Sequence, residues 1–304
     1  MVNIIKHKKI PFIFSGLLVA ASVVVLFIFG LKPGIDFTGG SLIEVKFTGE
    51  RPDIEAIQET LTPLNLGSVL VQPSDDDGMI LKLRFVTEEE HQKILVSLRE
   101  KFETDDAKVF EERIDTIGPA VSSQLKSRSL WASIAVVVAI ILYIAYTFRR
   151  VTRPVASWKY GVAAVLALIH DVTITMGVFA VLGKYAGVEA DITFVVALLI
   201  IFGYSVNDTI VVFDRVRENL IKEGPDQFAE TVNHGVNQTI MRSINTSLTV
   251  LLILAALFAL GGESIRYFSL ALIIGVTFGT YSSIFVASAL LVAWDDWDRR
   301  KLKA

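Results

Sequence analysis

The feature that most constrains the fold is a series of apolar runs long enough to cross a lipid bilayer. A spanning helix needs about 20 predominantly apolar residues, and 52% of this chain is hydrophobic. The predicted spans are residues 11–31, 129–148, 160–182, 192–213, 243–261 and 267–293. The sequence therefore predicts a polytopic α-helical membrane protein with six transmembrane helices.

Composition excludes several classes of function. The chain has no cysteine, which rules out disulfides, thiolate metal sites and a cysteine nucleophile. Its four histidines show no metal-binding spacing, and a net charge of −3 gives no indication of nucleic-acid binding. No nucleophile–base pair or phosphate-binding loop is recognisable. We therefore expect neither a cofactor nor a metal, and no enzyme.

Basic residues flank one end of each predicted span and set the orientation. They are Lys6, Lys8, Lys9, Arg149, Arg150, Arg153, Lys159, Arg215, Arg217, Lys222, Arg299, Arg300, Lys301 and Lys303. The short loops on the opposite side hold little beyond Lys184 and Arg266. The first run is longer than the roughly 7–15 apolar residues of a secretory signal, so it is predicted to be a retained anchor. Both termini (1–10 and 294–304) are predicted to be cytoplasmic, and residues 32–128 to form one external, periplasmic domain.

The external segment alternates strand and helix periodicities. The predicted strands are 42–47, 69–71, 79–85 and 108–114, and the predicted helices are 53–61 and 88–102. Asp53 is the expected N-cap of the first helix, and Thr87 with Glu90 forms a capping-box pattern before the second. Residues 73–78 are dense in turn formers. The order β-α-β-β-α-β predicts an α+β, ferredoxin-like domain between the first and second transmembrane helices.

Asp208 lies inside the fourth apolar run. A carboxylate there costs roughly 2.5–3.5 kcal/mol even on a lenient insertion scale, so it needs a partner or a function. Tyr204 and Ser205 share its helical face, and Asn207 and Thr209 adjoin it. An interfacial aspartate near the end of the span is the alternative interpretation. The apolar residues 210–213 beyond the carboxylate argue against that alternative.

Arg242 opens the next apolar run and shares a helical face with Asn245, Thr246 and Thr249. Such a polar stripe packs against other helices or lines a wet crevice. A snorkelling interfacial arginine is the alternative. A nearby guanidinium favours the charged form of Asp208, whereas burial favours its neutral form. A carboxyl group under both influences is a candidate proton-coupling site.

Asp171 lies near the midpoint of the third span, directly after His170. An unpaired carboxylate at that depth is not tolerated for packing alone, so Asp171 joins the candidate proton-coupling residues. For His170, a helix-packing histidine is the alternative interpretation. Gly275 and Gly279 form a G-x-x-x-G pattern in the last span, which predicts close helix packing and nothing more specific.

Five motifs together resemble the SecF subunits of the bacterial SecDF translocation accessory complex, within the resistance–nodulation–division superfamily. They are residues 34–40 (GIDFTGG), 167–171 (ALIHD), 203–209 (GYSVNDT), 237–242 (NQTIMR) and 279–285 (GTYSSIF). The resemblance implies that Asp208 and Arg242 take part in proton coupling. It also implies that Asp36, Gly39 and Gly40 form the motif at the start of the external domain.

The resemblance implies a role in protein export at the bacterial inner membrane. SecD would be an obligate partner, because the chain supplies only one set of six spans. The SecYEG channel and an emerging preprotein would be further partners, and YajC is another candidate. The expected function is use of the proton-motive force to assist translocation at a late, post-ATP stage. The alternatives are a proton-driven exporter of small molecules or lipids and a structural subunit without proton coupling.

Overall fold

The structure is a computed structural model that describes residues 3–74, 77–148, 155–224 and 226–303, without the side chains of residues 263, 264, 302 and 303. The chain divides into two compact units. The membrane unit comprises Met1–Lys32 and Trp131–Ala304, and the external unit comprises Pro33–Leu130. Arg149, Arg150, Arg153, the Lys303 side chain and residues 75–76 of the predicted turn lie outside the described part of the chain.

The described residues include ten α-helices and four β-strands. The helices are α1 (Lys9–Phe29), α2 (Ile35–Thr38), α3 (Ile54–Leu61), α4 (Glu88–Phe102), α5 (Pro119–Thr147), α6 (Ser157–Tyr185), α7 (Ile192–Glu223), α8 (Phe228–Leu260), α9 (Glu263–Ser282) and α10 (Ser288–Lys303). The strands are β1 (Gly40–Phe47), β2 (Leu70–Ser74), β3 (Gly78–Leu83) and β4 (Val109–Ile117). A π-helical turn, Ser283–Ala287, joins α9 to α10.

Among the described residues, six helices are long and apolar enough to cross a membrane, as the hydropathy predicts. They are α1, α5, α6, α7, α8 and the continuous helix over Ile265–Lys301. Buried residues make up 50% of the most apolar stretch of α6, 44% of that of α7 and 61% of that of the last helix, against 11% for α1, 6% for α5 and 17% for α8. The centre of the membrane unit is therefore built from α6, α7 and the α9–α10 helix.

The helices run beyond the apolar runs that predict them. α7 continues to Glu223, α8 begins at Phe228, and the segment expected to be a C-terminal tail is helical within α10. Hydropathy marks only the part of a helix that suits lipid. On α7 the polar extension is supported by the ion pairs that Glu218 makes with residues one turn away on either side, Arg215 at 2.5 Å and Lys222 at 2.8 Å.

The external unit contains one small antiparallel sheet in the order β2-β3-β1-β4. Alternate residues of β1, including Ile43 and Val45, are fully buried against Ile57 of α3 and Ile94 of α4. The buried alternate residues of β1 and the buried faces of α3 and α4 thus form one core. This arrangement follows from the alternation of periodicities in the sequence.

Local signals in the external unit give mixed results. Thr87 and Glu90 form the predicted capping box at the start of α4. Asp53 occupies the N-cap position of α3 with extended backbone, but its side chain makes no capping hydrogen bond. Pro73 and Ser74, predicted to lie in a turn, belong to β2. β2 is an edge strand, where proline is tolerated because its missing N–H faces away from the neighbouring strand.

Candidate functional site

Asp208 lies on the inner side of α7, and the residue is 7% exposed. Its Oδ1 accepts a hydrogen bond of 2.8 Å from the Ser243 hydroxyl of α8. Its Oδ2 is buried and has no hydrogen-bond partner among the described residues. The burial predicted from the insertion cost is present in the structure. One oxygen of this buried carboxylate is thus left without a hydrogen-bond donor in the part of the bundle that the structure describes.

Within the described part of the chain, Arg242 does not pair directly with Asp208, although the sequence groups both as candidate proton-coupling residues. Its side chain is exposed on α8, and no ion pair within 4 Å joins it to Asp208 in the described chain. Consecutive residues of an α-helix point about 100° apart, so α8 can turn only one of the two neighbours fully toward Asp208. That neighbour is Ser243.

The other residues of the predicted polar stripe are also exposed. Asn245, Thr246 and Thr249 lie on the outer surface of α8, and Asn207 lies on the outer surface of α7. Thr246 donates to the Arg242 carbonyl at 2.9 Å, so its hydroxyl is satisfied within its own helix. These polar groups therefore form a surface that the described helices of the chain leave uncovered.

Hydroxyl groups connect α7, α8 and α9 beside Asp208. Tyr204 donates to Ser247 at 3.0 Å, and the Ser247 and Thr280 hydroxyls are 2.5 Å apart. Ser243 and Ser247, one turn apart on α8, were not predicted to belong to the site. Their spacing of four residues is the only sequence signal for them, and it is a common one in packed membrane helices.

Asp171 is the centre of a second cluster and is completely buried. Its Oδ2 accepts hydrogen bonds from Ser205 of α7 at 2.6 Å and Ser282 of α9 at 2.8 Å. Its Oδ1 lies 2.8 Å from His170 Nδ1. Beside it, the Thr209 and Ser283 hydroxyls are 2.8 Å apart. The carboxyl group of Asp171 thus ties α6, α7 and α9 together.

The two glycines of the last span bring α9 close to α7. A Cβ atom on Gly275 would lie 2.2 Å from Cδ1 of Ile201. A Cβ atom on Gly279 would lie 3.2 Å from Cβ of Ser205 and 3.6 Å from Oδ2 of Asp171. The absence of side chains at these positions allows the approach that brings Ser205 and Ser282 onto the same carboxylate.

The remaining predicted residues, Asp36, Gly39 and Gly40, belong to the external unit. Asp36 lies in the first turn of α2, the short helix that precedes β1. Gly39 has φ +75° and Gly40 has φ +137°, values that disfavour any residue with a Cβ atom. A Cβ atom on Gly40 would also lie 2.7 Å from the Leu83 carbonyl oxygen. These glycines fix the backbone where β1 begins. Across the described chain, no three His, Asp or Glu residues gather to hold a metal ion.

Known proteins match the chain over nearly its whole length. The family model for the C-terminal part of the protein export membrane proteins SecD and SecF matches residues 97–297, and the SecD/SecF GG-motif model matches residues 24–49, which include Gly39 and Gly40. The protein translocase subunit SecF of Thermobaculum terrenum is 38% identical, with 98% of this chain and 95% of the relative covered. That of Synechocystis is 37% identical, with 97% and 95% covered. The chain belongs to the SecF family.

Solved structures extend this similarity to the fold. The crystal structure of SecDF from Thermus thermophilus, a translocon-associated membrane protein, has a TM-score of 0.82 and 33% identity over 97% of this chain. The super-membrane-facing form of SecDF has a TM-score of 0.69 and 33% identity over 99% of this chain. Each match covers 39% of the SecDF chain. This SecF-family chain therefore spans about two fifths of the SecDF proteins and is a multi-pass membrane protein.

Proposed function

We propose that this chain is the SecF subunit of a SecDF complex that uses the proton-motive force to assist preprotein translocation through SecYEG at a late, post-ATP stage. The observation that carries the proposal is the buried carboxyl group of Asp208. One of its oxygens accepts a bond from Ser243, and the other has no donor within the described bundle. An oxygen in that position is available to bind a proton. The chain carries no catalytic chemistry of its own in this proposal.

The working cycle has three steps. A proton enters from the external side and reaches Asp208. Neutralising Asp208 removes its attraction to Arg242, so that α7 and α8 repack around the Ser243 contact. The repacking moves the external domain, which pulls an emerging preprotein or prevents it from sliding back. One charge that crosses 100 mV releases about 2.3 kcal/mol, which is within the usual range of about 1–3 kcal/mol for coupling between sites. Asp171, tied to α7 through Ser205, is the second carboxyl group of this system.

The proposed topology places both termini in the cytoplasm and the external unit in the periplasm or its equivalent. The basic flanks of the spans support this orientation. We assign the external unit a ferredoxin-like fold, which its strand order and its antiparallel pairing support. The complex would lie in the bacterial inner membrane.

SecD is the proposed partner at the exposed polar surface of α7 and α8. Asn207, Arg242 and Asn245 are polar residues of candidate spans that no helix among the described residues covers. Lipid contact at such residues is costly, so a partner helix or a water-filled crevice is expected there. SecYEG, the preprotein and YajC are further proposed partners.

The decisive experiment is the substitution Asp208→Asn in the chain reconstituted with SecD and SecYEG. Asparagine keeps the size of the side chain but does not change its charge with proton binding. We expect gradient-dependent stimulation of translocation to disappear while the complex still assembles. Asp214→Asn is the matched control, because Asp214 lies on the same helix, is 53% exposed and pairs with Arg217. Full stimulation in the Asp208→Asn complex would refute proton coupling at this residue.

A further inference from the structure

Residues 3–8, here called the N-terminal segment, fold back onto the membrane unit before α1 begins. Ile4 is 9% exposed and Ile5 is 4% exposed, and both belong to the largest hydrophobic core of that unit. A 3-10 turn covers Ile5–His7. At the end of the segment, Lys8 forms an ion pair of 2.5 Å with Asp296 of α10. The segment is thus part of the packed bundle.

One side chain of α8 holds the backbone of this segment. The Asn233 Oδ1 atom accepts hydrogen bonds from the backbone N–H of Ile4 at 2.9 Å and from that of Ile5 at 3.3 Å. The first N–H groups of a helical turn have no partner within the turn and need another acceptor. A single amide oxygen supplies it for both, so the position of the N-terminal segment is tied to that of α8.

The helix that holds the segment is also the helix next to Asp208. Asn233 precedes Arg242 and Ser243 on α8, at a distance of about 14 Å along the axis. The apolar part of α8 is only 17% buried, and its inward contacts beside Asp208 include the hydroxyl bonds of Ser243 and Ser247. A shift of α8 at Ser243 therefore reaches Asn233 through a continuous helix.

The helix that follows the segment, α1, packs on α6 through a close approach of small residues. Only two residues of α1, Ser15 and Ser22, are buried. A Cβ atom on Gly177 of α6 would lie 2.5 Å from the Ser22 Cβ atom. The attachment of α1 to α8 comes through the N-terminal segment, and its other end leads along the chain into the external unit, which begins at Pro33.

We propose that Asn233 is a positioning residue that links α8 to α1. When the charge of Asp208 changes and α8 shifts, the N-terminal segment moves with Asn233 and carries α1 with it. The link deepens the proposed function and rests on it, since it names a route by which repacking beside Asp208 reaches the helix that enters the external unit. The hydrogen bonds at residues 4 and 5 are the connection to α8 that this route requires.

The link is tested first by thiol labelling, which requires no transport. Because the chain contains no cysteine, Ile5→Cys supplies a single buried thiol in the full chain, in membranes that also contain SecD. We expect Asn233→Leu to raise its rate of labelling by a maleimide at least tenfold. Asn233→Asp, which keeps the acceptor oxygen, should leave the rate within twofold.

Asn237→Leu is the matched control, because Asn237 lies one turn further on α8 and donates to the Asn233 carbonyl. Ile4→Cys is the second labelling site if Ile5→Cys does not fold.

Combining the substitutions tests the coupling itself. Asp208→Asn should change the labelling rate at least threefold when Asn233 is present, and should have no effect in the Asn233→Leu background. Two results would overturn the inference. One is a labelling rate in Asn233→Leu within twofold of the rate with Asn233 present. The other is a labelling rate that Asp208→Asn does not change when Asn233 is present.

Transport measurements separate this inference from the proposed function. In reconstituted vesicles, Asn233→Leu should keep proton flux and lose most of the gradient-dependent stimulation, and Asn233→Asp should restore it. If Asn233→Leu keeps full stimulation, or loses flux and stimulation together, the link is wrong and the role of Asp208 is unaffected. If the wild-type complex shows no stimulation, the proposed function fails, and the labelling rates alone decide whether Asn233 connects α8 to α1.

Discussion

Replacing Gly275 by alanine gives a direct measure of the close contact between α9 and α7. The new Cβ atom would lie 2.2 Å from Cδ1 and 2.3 Å from Cγ1 of Ile201, which is fully buried. Overpacking of this kind costs about 1–3 kcal/mol, while alanine gains about 1 kcal/mol over glycine in helix propensity. Gly203→Ala, on α7, receives the same gain and meets no atom within 4 Å. We therefore expect Gly275→Ala to be less stable than Gly203→Ala by about 1–3 kcal/mol.

The assay is reversible unfolding of the purified full-length chain in mixed detergent micelles, with the free energy of unfolding of each variant extrapolated to the same conditions. Ile201→Ala removes the clashing atoms and alone costs about 2–5 kcal/mol. Combined with Gly275→Ala it should cost less than the sum of the two changes, because the overlap is relieved. Equal stability of the two glycine variants, together with strict additivity in the double variant, would refute the close contact.

Three further predictions concern the external unit and are measured by amide hydrogen exchange in the full chain. Gly40→Ala should cost about 1–3 kcal/mol, because it places a Cβ atom at φ +137° and 2.7 Å from the Leu83 carbonyl; unchanged protection of β1 would contradict this. Thr87→Ala should cost about 1 kcal/mol and speed exchange in the first turn of α4, because the capping box is lost; slow exchange there would show that the cap is unimportant. Bonds from the Arg84 guanidinium and the Thr87 N–H lower the pKa of Glu90 to about 2. The stabilisation should therefore be complete above about pH 5 and be lost as the pH falls through 2, and an identical acid profile in Glu90→Gln would exclude this cause.

Short-range signals in the sequence predict much of this structure. The capping box at Thr87 and Glu90 involves residues three apart, so its pattern is visible in the chain itself. The burial of Asp208 follows from the cost of a carboxylate in an apolar span. The six candidate spans follow from hydropathy, which depends only on the composition of each segment.

Contacts between distant helices were not predictable. The bond from Ser282 to Asp171 joins residues 111 positions apart, and the bonds from the N-terminal segment to Asn233 join residues more than 220 positions apart. Helical periodicity shows which residues share a face, but it does not show which neighbour that face meets. For the same reason, the sequence did not indicate that Ser243, and not Arg242, contacts Asp208.

The π-helical turn at Ser283–Ala287 has a consequence for the end of the chain. Such a turn accommodates one more residue than the α-helix around it, as a single-residue insertion would. If the same residues formed a regular α-helix, with none deleted, all that follows the turn would be rotated by about 100°. Asp296 would then face away from Lys8, and the Trp294 ring would leave the Lys159 ammonium group, which now lies 5.4 Å from it. The irregular turn therefore sets the rotational phase of the last helix, and the partners of α10 depend on one extra residue about two turns away.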